Sequence, residues 1–147
     1  MVYWRIYQGA WIVSIKAGWA STPTCFYMKY LAVLFSIFIV VVIILADKNA
    51  IPLYIRALYD FPNGDKLGHY ILFGLLSLIL NLTFLRTLPN RDPKRVALSV
   101  SLILALAITA EEYSQQYFTA RTFDMVDLTA SSFGLVIGAL LAWNFRK

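Results

Sequence analysis

Charge is scarce in this chain. Charged residues make up 14% of it and hydrophobic residues 60%, whereas a soluble domain carries about a quarter charged residues. Its 147 residues are enough for one domain, and a single core cannot hide so much apolar surface from water. Lipid is the solvent that remains. Cysteine is nearly missing too: Cys25 stands alone, which excludes an intrachain disulfide and a cysteine-based zinc site. Histidine occurs once, at His69. No nucleophilic serine motif, phosphate-cradling glycine loop or H-E-x-x-H pair is present, which argues against familiar hydrolases. Internal repeats and low-complexity linkers are absent as well.

Four long apolar stretches are present instead: Tyr30 to Ala46, Leu67 to Leu85, Val96 to Ala110 and Leu128 to Phe145. About 20 helical residues cross a hydrocarbon core of about 30 Å. The third stretch is too short unless its helix runs on through Glu111 and Glu112. Continuation is expected, because no Gly or Pro occurs between Val96 and Phe118. The predicted fold is all-α, an integral membrane bundle of four transmembrane helices.

Loop charges orient the bundle. Drawing four spans puts nine basic residues on one side (Arg5, Lys16, Lys29, Arg86, Arg91, Lys94, Arg95, Arg146, Lys147) against one acid, Asp92. The other side holds four basic residues and seven acids. Excess Lys and Arg marks the cytoplasmic side, so both termini are expected there. The net charge of +5 is thus a topology signal, and no nucleic acid is implied. Residues 1–28, with Trp4, Trp11 and Trp19, are too interrupted to span and read as an interfacial or irregular extension. The membrane domain is then expected over 29–147.

Three polar groups fall near the outer end of these helices. In Asp65-Lys66-Leu67-Gly68-His69 the aspartate and histidine are four apart and share a helix face if the second helix begins early enough. A lone helical histidine more commonly makes a hydrogen bond between helices than a functional site. Glu111, Glu112, Gln115 and Gln116 form the second group. Glu111 lies about 24 Å along the helix from Arg95, inside the outer leaflet, where a carboxylate turns inward and finds a partner. Spacing does not choose between the two glutamates, and a helix ending at Ala110 would leave both solvated. The third group is Arg121, Asp124 and Asp127, just ahead of the fourth helix. Asp127 is a candidate N-cap, Asp124 a partner of the helix dipole, and Arg121 an ion-pair partner for either. In the fourth helix, Gly134 and Gly138 form a G-x-x-x-G motif. Such a motif serves packing within the bundle, the favoured reading, or a homo-oligomer.

In order and spacing, Asp65-Lys66-x-x-His69, Glu112-x-x-Gln115, Arg121-x-x-Asp124-x-x-Asp127 and Gly134-x-x-x-Gly138 resemble the VanZ-like family of small bacterial membrane proteins. The likeness covers about half the chain and leaves the first helix and residues 1–28 without support. The family's namesake is associated with resistance to the glycopeptide teicoplanin, so the resemblance implies a multi-pass protein of the bacterial plasma membrane. One departure is Ser131, where the family often has Asn or Asp; a ligand role there loses its amide or carboxylate.

Three functions fit these residues. The first is a non-enzymatic envelope protein whose outer pocket, formed by Asp65, Lys66, Gln115, Arg121, Asp124 and Asp127, binds a membrane lipid or a lipid-linked cell-wall component. The second is an enzyme on a lipid headgroup, with His69 and Glu112 as base and acid, Arg121 on a phosphate and the aspartates on a metal. The third is a proton or ion path. Cofactor and metal content are not specified by the sequence.

Overall fold

A computed structural model describes residues 23–53, 57, 61–118 and 122–146, with side chains from Phe26 onward. The tryptophan-rich residues 1–22, Arg121 and Lys147 lie outside the described residues. Four helices make up the fold: α1 (Pro23–Asp47), α2 (Gly64–Thr87), α3 (Pro93–Ser114, continued by a 3-10 turn over Gln115–Tyr117) and α4 (Met125–Phe145). Among the described residues no strand occurs. All four helices are long and apolar enough to cross a membrane, over 22, 24, 25 and 21 residues. At most 33% of any of these apolar windows is buried inside the molecule. Leu98, Ile103, Phe133 and Leu140 are all more than half exposed, a surface suited to hydrocarbon and not to water.

Helix ends follow local chemistry. Asn49, with φ 52, turns α1 off in the left-handed region while Ala50 N–H donates to Leu45 O. Asn63, φ 64, makes the turn into α2. Asp92, the one acid on the basic side, caps α3: its side chain accepts from Lys94 N–H, and Pro93 follows at the first helical position.

One expected boundary shifts. Helix α1 starts at Pro23, so the expected boundary between residues 28 and 29 falls inside a helix. The polar Thr24, Cys25 and Tyr27 interrupt the apolar run but leave helical propensity intact, and Pro23 suits a first turn. Helix α2 starts three residues before its apolar run, early enough to place Asp65 and Lys66 in its first turn on the helix that carries His69.

Helices α2 and α4 run parallel and in close contact. A Cβ added at Gly134 would collide with the Tyr70 carbonyl oxygen, and one at Gly138 with the Gly74 carbonyl oxygen. Ser77 Oγ donates to Leu135 O at 2.8 Å across the same seam. Gly134 and Gly138 are therefore buried in packing against α2, the role within the bundle favoured for the motif. Ile39, Phe73, Leu76, Leu104, Ile108 and Leu135 form a core to which every helix contributes. Asn81 Nδ2 reaches Ser77 and Ser101 to tie α2 to α3. Thr83 Oγ1 donates to Ile79 O at 2.7 Å within α2 and lies 3.4 Å from Met28 O at the start of α1.

Candidate functional site

One end of the bundle collects the C-termini of α1 and α3 and the N-termini of α2 and α4. Because α2 and α4 start together, their first turns face each other. Lys66 Nζ donates to Asp124 Oδ2 at 2.8 Å and to Asp127 Oδ1 at 2.9 Å, with Asp65 Oδ2 at 3.8 Å. Lys66 thus holds the aspartates that the sequence paired with Arg121, which lies outside the described residues. Parallel starts of two spans were already implied by the four-span topology, and that was the signal for this pairing. The capping roles are also exchanged. Asp124, extended at φ −128 and ψ 115, is the N-cap and accepts from Val126 N–H at 2.8 Å. Asp127 sits in the first turn with its side chain 10% exposed. The Lys66 ammonium, then the Val126 N–H, hold the Asp124 carboxyl below its ordinary value.

Helix α3 does continue through the glutamates, and the structure separates the pair. Glu112 is fully buried. Its Oε1 accepts from the backbone N–H of Asp124 at 3.1 Å, and its Oε2 from Gln115 Nε2 at 3.1 Å. Gln115, 1% exposed, also donates to Glu111 Oε1 at 2.9 Å. A carboxylate so placed pins the start of α4 to the end of α3, while Gln116 is exposed. His69 Nδ1 lies 3.2 Å from Oγ of the fully buried Ser131, a hydrogen bond between α2 and α4. Ser131 therefore gives the buried seam a polar contact between the two helices.

A cavity of about 620 Å³ opens between α1 and this polar end. Its α1 wall is aliphatic and aromatic: Phe38, Ile39, Val42, Ile43 and Leu45. Across from it stand Asp65, His69, Glu111, Gln115, Asp124 and Asp127. Of the expected acid–base pair, His69 lines the cavity and Glu112 does not; Glu112 acts behind the lining, through Asp124 and Gln115. Among the described residues, no three of His, Cys, Asp and Glu gather as ligands for one ion. Asp124 and Asp127, two of the candidate aspartates for a metal, both contact Lys66.

Fold and site together define a multi-pass helical membrane protein with a cavity that is apolar along one wall and polar at one end. Comparison with known proteins finds a similarity to an uncharacterised protein of Schizosaccharomyces pombe, 30% identical over 112 residues. The match covers 76% of this chain and 64% of that protein, so the chain spans about two thirds or less of the relative's length. No family model matches the chain, and no solved structure does.

Proposed function

We propose that this chain is a VanZ-like membrane protein of the cell envelope that binds the headgroup of a membrane lipid or lipid-linked component in its polar-ended cavity. The cavity itself carries the reading: an aliphatic wall on α1 faces carboxylate, amide and imidazole groups, which is the profile of an amphiphile. In this proposal both termini are cytoplasmic and the cavity opens on the far side of the membrane, as the basic residues indicate. The bacterial plasma membrane and a link to teicoplanin resistance rest on the motif resemblance alone, since the similar protein named above is eukaryotic.

Less supports an ion path. Below the polar end, Phe73, Leu76, Leu104 and Ile108 form an apolar layer. The interior groups beyond it, Ser77, Asn81 and Thr83, do not ionise.

Native mass spectrometry of the detergent-purified protein tests the binding reading. Wild type should retain lipid, and Ile43→Trp, which fills the cavity from the α1 wall, should lose most of it. Equal retention in both would place the lipid elsewhere. Orientation is tested by thiol labelling of intact cells in a Cys25→Ser background. A cysteine at Asn63 should react from outside and one at Asn90 should not; labelling at Asn90 alone would invert the topology.

A further inference from the structure

The described lining of the cavity is one-sided in charge. Four carboxylate residues border it, Asp65, Glu111, Asp124 and Asp127, and among the described residues no lysine or arginine does. Lys66 stands behind this lining and contacts two of them, Asp124 and Asp127. Among the described residues it offsets one of these four formal negative charges, a balance that disfavours an anionic headgroup at this end. The same contact shows what the site accepts. Lys66 is a tethered alkylammonium, and two carboxylates already hold its nitrogen at 2.8 and 2.9 Å. Across the cavity the wall of Phe38, Val42 and Ile43 has no polar side chain to offer and suits an acyl chain.

We propose that the cavity selects a membrane lipid whose headgroup ends in an ammonium group, with its acyl chain along α1 and its amine among the carboxylates. This rests on the lipid-binding reading and narrows it. A zwitterionic aminophospholipid fits, because its phosphate need not enter the acidic end. An amine without a chain does not, because the α1 wall would stay unfilled.

Native mass spectrometry of the full chain in detergent separates the possibilities with three added lipids of identical chains: dioleoyl phosphatidylethanolamine, dioleoyl phosphatidylglycerol and dioleoylglycerol. The first two share a phosphate and differ in the terminal group. Phosphatidylethanolamine should be retained about tenfold better than phosphatidylglycerol. Asp65→Asn removes a largely exposed carboxylate (side chain 58% exposed) outside the short Lys66 contacts. It should cut that preference about threefold to fivefold, the effect of one charge in a partly solvated site. Equal retention of all three lipids would overturn amine selection while leaving a lipid site standing. Preference for phosphatidylglycerol would overturn it in the opposite sense. Retention of none would remove the lipid reading together with the amine. Displacement of bound phosphatidylethanolamine by an equal concentration of free ethanolamine would show that the chain contributes nothing, and would overturn the lipid as occupant.

Discussion

Helix α2 has two very different neighbours. Against α4 it is joined from end to end: Lys66 to Asp124 and Asp127, His69 to Ser131, Ser77 to Leu135, and Arg86 Nη2 to Phe145 O at 3.2 Å. Two glycines bring the backbones into contact between those points. Against α1 it has apolar packing, a 3.4 Å approach of Thr83 Oγ1 to Met28 O at one end, and the cavity at the other. In lipid, association gains little from burying apolar side chains, since the tails outside are as apolar as the side chains. Close backbone approach and hydrogen bonds hold helices together there, and α2–α4 has both. The looser α1 contact leaves room for a ligand. Stability should therefore reside in the seam and ligand retention in the gap.

The largest effect should come from one methyl group in the seam. Gly134→Ala puts a Cβ onto the Tyr70 carbonyl oxygen, a backbone atom that cannot rotate away. We expect destabilisation above about 4 kcal/mol, or failure to accumulate. Gly68→Ala, on the same α2 but with nothing within 4 Å of the added Cβ, should leave thermal unfolding in detergent nearly unchanged. Equal tolerance of both changes would break the distinction between seam and gap.

A smaller loss is expected for Glu112→Gln. The glutamine oxygen can still accept from Asp124 N–H, but its amide then meets the amide nitrogen of Gln115, donor against donor. Leaving such buried groups mismatched costs about 1–3 kcal/mol, to be checked by chemical unfolding. Loss of lipid retention with unchanged stability would instead show that the carboxylate serves the ligand directly.

The smallest effect is a dependence on acid. Asp124 has its folded-state carboxyl lowered by Lys66, so its contribution to stability is complete above the ordinary carboxylate value of about 3.9 and fades as pH falls through the lowered one. Asp124→Asn retains a capping side chain but loses the charge. The Tm gap between wild type and this variant should be steady near neutral pH and close in strong acid. A gap that persists there would mean that the ion pair with Lys66 does not carry the effect.

Much of this protein follows from sequence alone. Hydropathy places four spans, because every backbone group within hydrocarbon must be satisfied inside its own helix. The absence of Gly and Pro from Val96 to Phe118 carries α3 past two glutamates, and burial of a carboxylate at that depth follows from its cost in lipid. G-x-x-x-G announces a tight helix contact. Which helix it meets, which glutamate turns inward, and that Lys66 holds both aspartates were decided by tertiary structure. Each depends on the rotation of one helix about its axis relative to another, and periodicity along a chain fixes a face without saying what stands opposite it. The cavity belongs to the same class: its apolar wall and its carboxylates come from helices far apart in sequence, and only packing sets them across from each other.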